Sequence, residues 1–229
     1  MDAQGKGSAM RNVKPEQLLL YAVTDRAWLN GRSLPDCVRD AISAGATIVQ
    51  LREKGASYEE KVALARELVP LCHEAGVPLV IDDDVPVALA SGADGVHVGQ
   101  DDLSCAEARR QLGPKAIVGV SAHNVDEAVA AYEQGADYLG SGALVATSTK
   151  SDVTPLAPQE LARICAAVDI PVVGIGGLNA DNIPQFAGLG CAGAAVVSAI
   201  FAAADIAEAT RELRKVCENT FWGQQIGSA

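Results

Sequence analysis

Aromatic residues are scarce in this chain, with Phe, Tyr and Trp making up 4% of its 229 residues. Hydrophobic residues still reach 49%. A core must therefore be built from Ala, Val, Ile and Leu, which buried parallel strands and their covering helices favour. Positive charge is also in short supply: 18 Lys and Arg stand against 29 Asp and Glu, for a net charge of −11. That balance argues against nucleic acid and membrane surfaces as partners, since both need clustered cations. No run reaches the roughly 18 apolar residues of a membrane span. Residues 1–14 are polar and Gly-rich and lack the apolar centre of a secretion signal. The cysteines Cys37, Cys72, Cys105, Cys165, Cys191 and Cys217 include no Cys-x-x-Cys pair, which argues against structural zinc. Scattered through apolar stretches, they read as small hydrophobes with free thiols, and the expected compartment is the reducing cytoplasm.

What is present is alternation. Short apolar runs lie at residues 18–24, 47–52, 78–81, 95–98, 116–120, 138–141, 171–175 and 193–197. Amphipathic stretches lie between them, at 58–75, 124–134, 158–168 and 205–216 among others. In the first of these, Val62, Ala65, Leu68, Val69 and Cys72 share one helical face. Gly45, Gly76, Gly92 and Gly135 follow helical stretches, where Gly is the usual C-cap. Eight strands each followed by a helix predict a single (β/α)₈ TIM barrel over residues 15–217. A disordered polar tail is expected at 1–14 and a C-terminal tail at 218–229. A doubly wound open sheet is the alternative. It would show a Gly-rich fingerprint after the first strand, and Thr24-Asp25-Arg26-Ala27 is not one.

In such a barrel the chemistry lies in the loops after the strand C-termini. Gln50, Arg52 and Lys54 follow one another at a spacing of two, so on a strand they face the same way, while Val49 and Leu51 face the other. Two cations there fit an anionic ligand such as a diphosphate, or else a solvated strand end paired with Glu53 and nearby acids. Asp82-Asp83-Asp84 follows the third run and Gln100-Asp101-Asp102 the fourth. Carboxylates on neighbouring strands repel unless a cation lies between them, and Mg²⁺ suits them; helix capping is the competing account. Ser121, after the fifth run, is a phosphate donor or a helix cap, and His123 beside it is a secondary candidate base. Thr147, Ser148, Thr149 and Lys150 form a donor-rich loop after the sixth run, fit for phosphate or simply solvated. Gly176 and Gly177 after the seventh run, and Val197 and Ser198 after the eighth, fit a backbone phosphate site or a turn that needs Gly.

In this order, Tyr21-Ala22-Val23-Thr24-Asp25, Gln50-Leu51-Arg52-Glu53-Lys54, Gly95-Val96-His97-Val98-Gly99-Gln100, Gly119-Val120-Ser121-Ala122-His123, Thr147-Ser148-Thr149-Lys150, Gly176-Gly177 and Val197-Ser198-Ala199-Ile200 resemble the thiamin phosphate synthase family. The resemblance implies a transferase of thiamin biosynthesis. It would join hydroxymethylpyrimidine diphosphate to hydroxyethylthiazole phosphate, releasing pyrophosphate by a dissociative, Mg²⁺-assisted route. Asp83 and Asp102 would hold the metal. Gln50, Arg52, Lys54, Asp82, Ser121 and Lys150 would meet the pyrimidine diphosphate, with Arg52, Lys54, Ser121 and Lys150 carrying catalysis. Thr147, Ser148, Thr149, Gly177, Val197 and Ser198 would hold the thiazole phosphate. The sequence departs from the family pattern in two places: Asp82 stands where Asn is usual, and Val145-Ala146 replaces an aromatic-Pro pair. A thiazole-phosphate tautomerase on the same barrel would not need Asp83, Asp102 and Lys150. A catalytically silent ligand-binding protein is the other alternative.

Overall fold

The computed structural model of the chain describes residues 12–29, 31–145 and 155–223. Eight strands form: β1 Leu20–Val23, β2 Ile48–Leu51, β3 Leu79–Asp82, β4 Gly95–Val98, β5 Ile117–Ser121, β6 Tyr138–Ser141, β7 Val172–Ile175 and β8 Gly193–Val196. All are parallel, each pairs with the next, and β8 pairs with β1 to close the barrel. Every strand lies within two residues of its expected bounds. Around them lie α1 Leu34–Ser43, α2 Tyr58–Glu74, α3 Val85–Ser91, α4 Cys105–Leu112, α5 Val125–Glu133, α6 Pro158–Ala167, α7 Ser198–Phe201 and α8 Ile206–Cys217. Among the described residues no helix is long and apolar enough to cross a membrane.

Local sequence starts the helices. Ser33, Ser57, Ser104, Asn124 and Asp205 each accept a backbone N–H three residues on, at the head of α1, α2, α4, α5 and α8. This satisfies one of the donors that a helix start leaves open. On α2, Val62, Ala65, Leu68 and Cys72 are buried as the periodicity predicts, while Val69 is only half-buried. The apolar faces of the helices pack onto the outward strand residues, Val49 and Leu51 among them, in one continuous layer. The six cysteines are free thiols, five of them buried in that layer.

Inside the barrel a second, smaller cluster holds Val13, Leu18, Tyr21, Val23, Ile48, Val80, Ile117, Tyr138, Val173 and Ala195. Strand alternation sets this inward column. Tyr21 lies level with Ile48, and Val23 with Gln50.

The floor of the barrel is closed by the start of the chain. Val13, expected in a tail, is buried inside the barrel. The Asn12 side chain donates to the carbonyls of Pro114 and Ala116, and its backbone N–H donates to Asp137 at 3.0 Å. Buried Asp137 also accepts from the Val118 N–H at 2.8 Å and from Arg109 at 2.5 Å. At the other end, residues expected in a C-terminal tail continue α8 as a π-helical turn over Glu218–Trp222, with Thr220 buried. The remaining parts of the expected tails, 1–11 and 224–229, lie outside the described residues.

Candidate functional site

At the C-terminal mouth the interior opens into a cavity of about 200 Å³. Its walls include Gln50, Arg52, Asp82, His97, Ser121, Tyr138, Gly176, Gly177, Val197 and Ser198. Residues on or just after β2 through β8 thus converge on one space, as the barrel topology requires.

Strand alternation carries Gln50 and Arg52 into this cavity. Arg52, one residue past the end of β2 at Leu51, still keeps that direction; Lys54, three residues past it, lies on an exposed turn. Lys54 still lies near Asp83, since its charge lowers the proton affinity of that carboxyl. Glu53 does not pair with these cations; it turns away and binds Arg26 at 2.5 Å. Arg52 instead sits between Asp25 and Asp82, at 3.7 Å from each.

The acidic run after β3 divides into three roles. Asp84 caps α3 by accepting from the Val87 N–H at 3.2 Å, and it pairs with Lys61 at 3.0 Å. Asp82, at the end of β3, faces Arg52. Asp83 takes a left-handed backbone with φ of 62°, which short polar residues tolerate. Its carboxyl lies against that of Asp102. Burial, the Asp82 charge and Asp102 together push Asp83 up to about 7. Asp102 is held by the Gly99 N–H at 2.8 Å. Two facing carboxylates, hard oxygen donors whose charges repel, fit a divalent ion. Among the described residues no group of three or more His, Cys, Asp or Glu could hold a metal. Asp83 and Asp102 would form the protein side of such a site, and Mg²⁺ accepts water and phosphate oxygens for the rest of its shell.

Ser121 ends β5 and does not cap a helix; Asn124 caps α5. His123 lines the mouth but is engaged by Glu127 at 2.9 Å. Across the mouth, a Cβ on Gly176 would lie 2.6 Å from Ala143 Cα, and one on Gly177 would lie 2.8 Å from the Val145 carbonyl. Both glycines have positive φ. Close approach of the chain after β6 therefore requires glycine here, whatever else the turn binds. Thr147, Ser148, Thr149 and Lys150 lie outside the described residues.

Sequence reasoning missed the interior polar groups. Tyr21 and Tyr138 meet hydroxyl to hydroxyl at 2.8 Å, and Gln50 donates to Tyr21 at 2.9 Å. His97 contacts Tyr138 through Nδ1 and Ser121 through Nε2, both at 3.0 Å. Burial raises the proton affinity of both tyrosines, so each keeps its hydroxyl proton. The one available signal was polar or aromatic side chains at inward positions of otherwise apolar strands.

The model of the thiamine monophosphate synthase family matches residues 20–200, most of the chain. The chain belongs to this family. A thiamine-phosphate synthase of Chloroflexus aurantiacus is 49% identical over 202 residues, covering 88% of this chain and 93% of that one. A probable thiamine biosynthetic bifunctional enzyme of rice chloroplasts is 45% identical over 214 residues, which are 90% of this chain but only 39% of the rice protein. Among solved structures, a thiamine phosphate pyrophosphorylase from Pyrococcus furiosus superposes with a TM-score of 0.83 at 38% identity, covering 90% of this chain and 98% of that one. Membership gives the converging residues a common context. The family match spans β1 through most of α7, and thus every strand whose end lines the cavity.

Proposed function

We infer that this protein is a thiamine-phosphate synthase, a transferase of thiamin biosynthesis. It joins the pyrimidinylmethyl group of hydroxymethylpyrimidine diphosphate to the nitrogen of hydroxyethylthiazole phosphate. The observation that carries this reading is the convergence of Arg52, Asp82 and Ser121 at one cavity mouth, with the Asp83 and Asp102 pair beside Asp82, in a chain whose family match runs across all eight strands. A diphosphate ester and a phosphate ester need anion sites on both sides of a shared space. Arg52 and Ser121 supply donors on one side, with Lys54 near Asp83; the Gly176 turn and the start of α7 form the other. Thr147, Ser148, Thr149 and Lys150 are assigned to the same ligands from the resemblance of their motif.

Asp83 and Asp102 would hold Mg²⁺, which neutralises charge as the diphosphate leaves. The remaining work falls to the chain. Gln50 and Arg52 orient the diphosphate ester above the interior column. Departure of the diphosphate leaves a cation delocalised over the pyrimidine, and the thiazole nitrogen donates its electron pair to that carbon. No side chain acts as nucleophile. The apolar wall of Val173, Ile175, Ala195 and Val197 lets little water reach the cation before the thiazole does. Free thiols support the cytoplasm as its setting. The ligands are small phosphorylated molecules; nucleic acid and membranes do not match an acidic surface.

The test is direct. The purified protein, given both phosphorylated precursors and Mg²⁺, yields thiamin phosphate and pyrophosphate in equal amounts, and a chelator stops the reaction. Folded protein that forms neither product overturns the reading.

A further inference from the structure

We propose that Tyr138 and His97 are positioning residues that fix the direction of the Ser121 hydroxyl, making it a hydrogen-bond donor to the substrate diphosphate. The ligand's identity rests on the function proposed above; the hydrogen-bond chain rests on geometry alone. Four contacts cross the barrel interior from β2 to β5. Gln50 Nε2 donates to the Tyr21 hydroxyl at 2.9 Å. The Tyr21 and Tyr138 oxygens lie 2.8 Å apart. Tyr138 meets His97 Nδ1 at 3.0 Å, and His97 Nε2 meets Ser121 Oγ at 3.0 Å. Two glycines make room for the rings. A Cβ on Gly119 would lie 2.1 Å from Tyr138 Cζ, and one on Gly140 would lie 3.0 Å from His97 Cε1.

A chain of this kind has two senses, because each hydroxyl has one proton to give and an imidazole nitrogen either gives or accepts. The amide end selects the sense. With the Gln50 N–H on the Tyr21 oxygen, the Tyr21 proton goes to Tyr138 and the Tyr138 proton goes to Nδ1. The His97 proton then sits on Nε2 and points at Ser121 Oγ. Ser121 accepts it and keeps its own O–H for the cavity. In the opposite sense Ser121 would give its proton to Nε2 and show only lone pairs to an anion. Neighbouring bonds in such a chain polarise one another and strengthen the selected sense. The backbone of Ser121 is held as well, since Gln100 donates to its carbonyl at 2.5 Å.

The experiment begins with the unmodified protein. Nitrogen-15 NMR of the imidazoles, with His97 identified by the signal lost in His97→Gln, is expected to show the proton on Nε2 and none on Nδ1. A His97 protonated on Nδ1 overturns the proposal. Calorimetry with inorganic pyrophosphate and Mg²⁺ then tests the action through Ser121. Tyr138→Phe is expected to weaken binding roughly tenfold, the size of one hydrogen bond to a charged group. His97→Leu does the same, while His97→Gln, whose terminal N–H can replace Nε2–H, recovers most of the loss. In a Ser121→Ala background Tyr138→Phe costs less than about twofold, the non-additivity expected of residues acting in series. Equal losses in both backgrounds overturn the proposal. If these results hold while no thiamin phosphate forms, the proposed function fails and the positioning role stands.

Discussion

Asp82 is a negative charge inside the proposed anion site. It lies 3.7 Å from Arg52, and its charge raises the proton affinity of Asp83, Tyr21 and Tyr138. It therefore competes with a diphosphate for Arg52 and repels it at the same time. Asp82→Asn is expected to tighten pyrophosphate binding by roughly two- to tenfold at low salt, with the gain shrinking as salt rises. Calorimetry at two ionic strengths checks this, and unchanged affinity would show the charge to be neutral in effect. The residue scale is also where the sequence was hardest to read. Alternation along a strand placed Gln50 and Arg52 correctly, because period two is a local property. Arg52 keeps the direction one residue past the strand end, but Lys54 falls in the turn that follows, where the period no longer applies. Tyr21, Tyr138 and His97 look like core packing in their own strands. Their hydrogen bonds join β1, β4 and β6, which are far apart in sequence.

At the scale of elements, three consecutive acids take three separate jobs because β3 ends and α3 begins within them. Capping and metal binding were competing accounts of this run, and the structure gives capping to Asp84. Asp84→Ala is expected to cost about 1–2 kcal/mol from the lost cap and to leave activity nearly intact. Asp83→Ala should behave in the opposite way, losing most activity while the urea midpoint holds. Measuring both properties on both variants checks the division, and matched behaviour would refute it. The starts of α1, α2, α4, α5 and α8 were legible because Ser, Asn or Asp stands at each one, and the strands were legible because their apolar runs are short and well separated. The turn at Gly176 and Gly177 was half legible. The glycines were visible, but the chain after β6 that makes them necessary belongs to a neighbouring strand's loop.

The molecule as a whole is polarised along the barrel axis, with its ligand residues at the mouth and a structural hub at the floor. Asp137 gathers the Asn12 and Val118 N–H groups and the Arg109 guanidinium at one buried carboxylate. Asp137→Ala leaves them without that partner and is expected to cost about 3–5 kcal/mol in a urea titration. Pyrophosphate affinity should not change under conditions where the variant stays folded. A matching loss of affinity would show that the two ends of the barrel are coupled. The sequence announced the barrel but not this floor, since a polar residue such as Asn12 in a Gly-rich start reads as tail until Pro114, Ala116 and Asp137 are brought beside it. The closed floor bears on how the protein can be handled. Residue 12 and the turn after α8 both lie at the end away from the cavity. A reporter, surface linker or second enzyme attached ahead of residue 12 or after Trp222 would leave the mouth open to small molecules, and a chain tethered by either end would still face its substrates.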